Sequence, residues 1–243
     1  METSDKKIRI GEAAKILGVS VQTLRNWEKS GKLHAERSSG QQRYYSLTRL
    51  KLFVLDIQKL GHAWAVSAFP PDLPREFYCE RPDRFTSRVA GMGFELQQSG
   101  RLSEDLVSLV TLVAGEVGDN SFAHNVGNWL DIPGVFYAYN VGKRLIVLAD
   151  RGRGVKTTLQ QARPRISSDV EALTTAFTEI ISGRSPEKRG NGLKVVRKIM
   201  ESNQIGLLFQ SGVGMVIIPK KPGTMRVKMS DEFIRGTFAV ISF

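Results

Sequence analysis

The sequence predicts an α+β chain in two parts: a small helical N-terminal unit with a two-stranded wing, and a larger unit whose helices lie over one face of a mainly antiparallel sheet. Three observations predict it. Short helical patterns crowd the N-terminal quarter around a glycine turn, a proline-rich break follows, and beyond it helical periodicity gives way repeatedly to apolar β-branched runs. With 243 residues and 41% hydrophobic content, the chain is long enough for one large packed domain or two small ones. The expected division is 1–62, a linker over 63–80, and 81–243.

Composition narrows the function classes. The formal net charge is +11, and residues 1–62 hold 12 Lys/Arg against 6 Asp/Glu, so +6 falls there and +5 on the remaining 181 residues. The positive density belongs to the N-terminal unit, which points it at a polyanion. Cys79, the one cysteine, rules out an internal disulfide or a cysteine-based metal site. No window reaches the roughly 18 to 20 apolar residues of a membrane helix. The charged start "METSDKKIRI" lacks the apolar core of a signal peptide, so the cytoplasm is the expected location and no membrane the expected partner.

In "IRIGEAAKILGVSVQTLRNWEKSGKL", Ile10, Ala13, Ala14 and Leu17 follow the spacing of one buried helical face. Gly18 supplies the positive φ of a helix end, and Ser20 caps the next helix. Leu24 and Trp27 face inward there, leaving Gln22, Thr23, Arg25 and Lys29 for the outside, side-chain types that reach phosphates and base edges in a major groove. "ERSSGQQRYYSLTRLKLF" then sets a Ser-Ser-Gly turn between short polar arms before a helix resumes at Leu47. Gly-Glu-Ala-Ala, Gly-Val-Ser with Thr-Leu-Arg-Asn-Trp-Glu, and Arg-Tyr-Tyr-Ser together resemble the winged helix-turn-helix of MerR-type transcription regulators over about residues 8–60. The resemblance implies that Gln22, Thr23 and Arg25 read double-stranded DNA while Arg37, Arg43 and Tyr44 of the wing hold its backbone. That family continues into a long dimerising helix, whereas "DIQKLGHAWAVSAFPPDLP" is expected to break at Gly61 and at three prolines.

In the larger part, "FTSRVAGMGFELQQ" and "SEDLVSLVTLVAGEVGDNSFAH" read as helices, the second capped by Ser103. "GVFYAYN" and "KRLIVLAD" read as paired strands, "DVEALTTAFTEIISG" and "NGLKVVRKIMES" as helices, and "GLLFQ", "GMVIIP" and "GTFAVISF" as strands. Three polar clusters fall at element ends. Glu116, Asn120 and His124 lie four residues apart near one helical face; "DRGRG" follows a buried strand at Asp150; Gly190-Asn191-Gly192 opens a helix, whose free amides and positive dipole end suit an anion.

In this order the clusters resemble the N, G1 and G2 boxes of the ATPase fold shared by DNA gyrase, MutL, heat-shock chaperones, histidine kinases and anti-sigma-factor kinases (GHKL), over about residues 84–243. The resemblance implies ATP and Mg²⁺ as cofactors. Asn120 would complete a Mg²⁺ shell, Glu116 would orient or deprotonate the attacking water, and Asp150 would accept the adenine amino group with Gly152 and Gly154 allowing close approach. Gly190 and Gly192 would hold phosphates, assisted by Lys188 or Arg189 from a lid over residues 155–189, and Thr237 would support the adenine side. Lys194 stands where histidine kinases often carry a third glycine; Asp119 and His124 each echo one branch of the family. The expected function is a DNA-binding regulator switched by ATP binding or slow Mg²⁺-dependent hydrolysis, with an ATP-dependent homodimer or a protein partner as further company. Two alternatives stay open: a protein serine kinase of the anti-sigma-factor type, and a non-catalytic interaction module on a degenerate ATPase fold.

Overall fold

The structure, a computed structural model, describes residues 5–29, 33–179, 192–221 and 223–243. It falls into two compact units, the first running to Asp56 and including Asn140–Lys143, the second Ile57–Tyr139 with Arg144–Phe243. In the first, β1 (Lys7–Arg9) leads into α1 (Ile10–Leu17) and α2 (Val21–Lys29); β2 (Glu36–Arg37), β3 (Arg43–Ser46) and α3 (Leu47–Val54) follow. The turn between α1 and α2 forms for local reasons. Gly18 adopts φ 62°, which lets its amide return to the Ala14 and Lys15 carbonyls, and Ser20 Oγ accepts the Thr23 amide at 3.0 Å. Ala13, Ala14, Leu24, Tyr45 and Leu50 fill the small core, and Trp27 packs on Phe53 at 5.5 Å. β3 is the middle strand, antiparallel to β1 and β2. In the wing turn the left-handed residue is Gln41 (φ 58°), not Gly40, and Gln41 donates to the Ser38 carbonyl at 2.9 Å.

The second unit begins with α4 (Ile57–Val66), a 3₁₀ turn (Arg75–Phe77) and β4 (Tyr78–Cys79). α5 (Pro82–Gln98) and α6 (Glu104–Asn125) precede the neighbouring strands β5 (Val135–Asn140) and β6 (Leu145–Asp150). α7 (Gly154–Gln160), α8 (Asp169–Thr178), α9 (Gly192–Asn203) and the long strands β7 (Gly206–Ile218) and β8 (Arg226–Ser242) complete it. The sheet order is β4-β5-β6-β8-β7. Ser103 and Ser168 cap α6 and α8, accepting the amides of Leu106 and Glu171 at 3.3 and 3.1 Å.

Helices occupy both faces of this sheet, which corrects the one-sided layering expected from sequence. Successive strand side chains point to opposite faces. Tyr137 meets Phe85 of α5 at 5.3 Å, whereas its neighbour Phe136 meets Trp64 of α4 at 6.4 Å. Likewise Asp150 turns toward α6, while Val147, an odd number of residues away, lies under Gly61 of α4. The break expected at Gly61, and the linker beginning at 63, are therefore replaced by a packed helix whose Trp64 and Ala65 are buried. A Cβ on Gly61 would stand 2.8 Å from both Phe136 Cε1 and Val147 Cγ1, so the glycine is there for close approach to the sheet.

Of the segment 155–189 expected as a lid, residues 155–179 hold the helices α7 and α8, joined by a cluster of Leu159, Ile166 and Ala172, and residues 180–189 lie outside the described residues. One further expectation changes. "GLLFQ" and "GMVIIP" are one strand, β7, carried past Gly212 (φ 58°) through register shifts against β8 at Ser211/Gly212 and Gly212/Gly214. The Val213 amide within that irregularity is taken by Asp169 Oδ2 at 3.0 Å. Among the described residues no helix is long and apolar enough to cross a membrane.

Candidate functional site

α6 supplies two neighbouring stripes of polar side chains near its C-terminal end, because residues four apart share a face and the next residue is turned by about 100°. The stripe of Glu116 and Asn120 meets the start of α9. A Cβ on Gly192 would lie 2.8 Å from Glu116 Oε2, 3.3 Å from Asn120 Nδ2 and 3.7 Å from Asn120 Oδ1. Gly192, the described residue of the third sequence cluster, is thus placed beside two residues of the first at the start of α9. Lys188, Arg189, Gly190 and Asn191 lie outside the described residues.

The second stripe, Ser121 and Asn125, was missed by sequence reasoning and meets Asp150. Ser121 Oγ donates to Asp150 Oδ2 at 2.8 Å, and Thr237 Oγ1 donates to the same oxygen from the directly paired position on β8. The Gly152 amide donates to Oδ1 at 2.8 Å, and Asn125 Nδ2 approaches it at 3.5 Å. Asp150 is only 1% exposed, and burial pushes its carboxyl above the ordinary aspartate value against the pull of these donors. Asn125 also donates to the Ser121 carbonyl at 2.8 Å and accepts the Arg153 amide at 3.0 Å, so it ties helix to loop. The spacing of Ser121 and Asn125, four apart and one residue beyond Asn120, is the signal that marks this second face.

The glycines of "DRGRG" have reasons of their own. A Cβ on Gly152 would sit 2.1 Å from the Asn125 side chain, so the close approach it allows in this structure is to Asn125. Gly154 has φ 77°, and Ser211 Oγ beside it accepts the Val155 amide at 2.9 Å while donating to the Gly236 carbonyl at 2.8 Å. His124 is half-buried on α6, and its carbonyl receives Arg153 at 3.5 Å.

Arg151 was also overlooked, and it is fully buried on the other face of the sheet. Its guanidinium donates to the carbonyls of Trp64 and Ser67 at the end of α4, the second at 2.8 Å, and to both oxygens of Asp131 through Nε at 3.1 and 3.0 Å. Arg235 of β8 reaches the same Asp131 at 2.7 Å. A buried guanidinium with this many acceptors is satisfied, and it fastens α4 to the strand end that carries Asp150.

No group of three or more His, Cys, Asp or Glu capable of holding a metal occurs among the described residues. Glu116 and Asn120 offer instead one carboxylate and one amide oxygen beside the cradle at Gly192. That pair fits a Mg²⁺ that arrives with phosphates and retains water, since such an ion takes hard oxygen ligands and few from protein.

In the N-terminal unit Gln22 and Arg25 are exposed on α2, and Gln22 Nε2 donates to Asn26 at 3.2 Å. Thr23 is half-buried with its hydroxyl 2.8 Å from Ser20 Oγ. Tyr44 donates from its hydroxyl to Gln42 at 3.2 Å. Arg37 and Arg43 converge on one carboxylate, Glu28 of α2, at 2.9 and 2.5 Å.

Residues 9–45 match the family described as MerR family regulatory protein. That interval runs from the end of β1 through α1, α2 and the wing, so the match covers the helix-turn-helix of the N-terminal unit and supports a DNA-binding transcriptional regulator. No curated protein and no solved structure matches the chain.

Proposed function

We propose that the chain is a DNA-binding regulator whose C-terminal unit binds ATP with Mg²⁺ and uses it to switch DNA or partner binding. One observation carries the nucleotide part of this reading: α6 presents Glu116 and Asn120 to the N-terminus of α9 and, one residue round, presents Ser121 and Asn125 to Asp150 and Thr237. On this reading Glu116 and Asn120 would serve the phosphate and metal end of the nucleotide, and Asp150 would exchange one of its present donors for an adenine amino group. Bound Mg²⁺ would neutralise phosphate charge. Glu116, half-buried beside Asn120, is the group placed to hold a water's proton, and Asn120 to hold the metal's oxygen shell. The switch requires differential affinity, so ATP must favour one conformation or oligomer over another. An ATP-dependent homodimer supplies such a difference without the long dimerising helix.

A second reading draws on the completeness of the Asp150 network. A carboxylate has about four lone-pair sites, and Ser121, Thr237, Gly152 and Asn125 address them all. This favours a non-catalytic interaction module in which Asp150 is structural. Calorimetric titration with Mg²⁺ and ATP separates the two. The proposal expects wild type to bind, Asp150→Asn to lose affinity, and Glu116→Ala to bind without releasing phosphate; a wild type that binds no ATP overturns it. Phosphate appearing on a co-purified protein, rather than free in solution, marks the serine-kinase alternative. DNA-shift assays with and without ATP then read the switch.

A further inference from the structure

We propose that Glu28 is a positioning residue for DNA contact, holding the two wing arginines in register for the backbone; the inference rests on the DNA-binding reading of the N-terminal unit. Arg37 and Arg43 are directly paired across β2 and β3. Like charges directly opposite each other on an antiparallel pair repel and destabilise it. Glu28 resolves the clash from outside the sheet. Its Oε1 accepts from Arg37 Nη2 at 2.9 Å and its Oε2 from Arg43 Nε at 2.5 Å, one oxygen for each arginine. Burial works against its charge, but the hydrogen bonds and charges of Arg43 and Arg37 outweigh it and hold the carboxyl below the ordinary glutamate value.

The arrangement leaves the arginines competent. Arg37 keeps 45% of its side chain exposed and Arg43 25%, against 16% for Glu28, so the cations stand nearer to water than the anion does. Arg37 Nη1 also donates to Gln41 at 3.2 Å, which fixes the guanidinium against the wing turn. The nearby Glu36 is taken up by Lys7 at 2.5 Å, so Glu28 is the acidic group to which both wing arginines are bonded. Two guanidinium groups on one carboxylate retain a net positive charge with restricted rotamers, which lowers the ordering cost of a phosphate contact.

The sign of the effect makes this testable. Plain electrostatics says that deleting a negative charge near a DNA-binding face strengthens binding. Positioning says the opposite. Affinity is measured on a duplex selected by the wild-type chain from a random-sequence pool. Glu28→Gln is expected to bind about tenfold more weakly, the size of one lost charge-assisted hydrogen bond. In an Arg43→Gln background the same substitution is expected to change affinity by less than about threefold, because the group it acts through is gone. Glu28→Asp, which keeps the charge, is carried through the same comparison should Glu28→Gln fail to give a cooperative thermal transition, with weaker binding again confined to the Arg43 background. Unchanged or tighter binding by the Glu28 variant, or an equal loss in both backgrounds, overturns the proposal. A wild-type chain that selects no sequence and binds no duplex overturns the DNA-binding reading instead.

Discussion

Substituting Gly118 by alanine sets helix propensity against packing on the helix that carries the candidate site. Alanine is favoured over glycine in a helix interior by about 1 kcal/mol, so propensity alone says Gly118→Ala stabilises. The structure says otherwise. An added Cβ would stand 2.0 Å from Phe85 Cζ and within 2.7 Å of two further ring atoms, where carbon contacts ordinarily need about 3.5–4.0 Å. Phe85 is fully buried, held edge-on to Tyr137 at 5.3 Å and beside Phe122 at 5.9 Å, so its ring has nowhere to retreat. Overpacking of this kind costs about 1–3 kcal/mol, which cancels the propensity gain and leaves a net loss of roughly 0–2 kcal/mol. Gly115, on the same helix, is the control: nothing lies within 4 Å of its added Cβ, so alanine there gains the full propensity term. The two variants should differ by the overpacking cost, about 1–3 kcal/mol, or roughly 2–12 °C in melting temperature for a domain of this size, read by circular dichroism in the transition of the C-terminal unit. Phe85→Leu added to Gly118→Ala should recover part of the difference. Equal stabilisation by both alanines would refute the packing of α6 on Phe85 and, with it, the placement of Glu116 and Asn120.

Arg151→Ala leaves the carbonyls of Trp64 and Ser67 without their buried donor and takes one of two arginines from the exposed Asp131; about 1–3 kcal/mol of stability should be lost for each stranded carbonyl, visible as a fall in the urea midpoint. Asp150 carries a pH signature of the opposite sense from a salt-bridged carboxylate. Because burial raises its value, the folded state binds a proton that the unfolded state has released, so its contribution to stability falls as pH rises from the ordinary aspartate value through the raised one. Asp150→Asn removes that dependence, since Ser121 and Thr237 can rotate their hydroxyls to accept. The melting temperature of the variant minus that of wild type should therefore grow with pH across this window; a flat or falling difference contradicts the assignment.

The parts of the fold legible in the sequence are those set by local chemistry. Gly18 and Ser20 announce the turn between α1 and α2 because both act on backbone within one helical turn, and Ser103 announces the start of α6 in the same way. Helical periodicity located α5, α6 and α8 because each buries one face. What failed was decided by distant residues. Gly61, near three prolines, reads as a breaker, but Phe136 and Val147 make a glycine the residue that fits inside a helix. Gly212 divides an apolar run in sequence, yet Asp169 and the bulged partner strand carry β7 past it. In the candidate site, Glu116, Asn120 and Asp150 stand out by residue type, whereas Ser121, Asn125 and Arg151 acquire meaning only when α6 and α4 are seen against β6.

Asp150 and Arg151 also bear on folding fidelity. They are consecutive and oppositely charged, the last residue of β6 and the one after it, and they point to opposite faces of the sheet. If β6 paired with β8 one residue out of step, every side chain would change face. The guanidinium would then be thrust among Ser121 and Thr237, and the carboxylate would face the carbonyls of Trp64 and Ser67, which are acceptors like itself. Two buried charges would be stranded at once, each penalised by several kcal/mol. The dipeptide would thus penalise a misaligned strand by electrostatics alone, independently of any ligand.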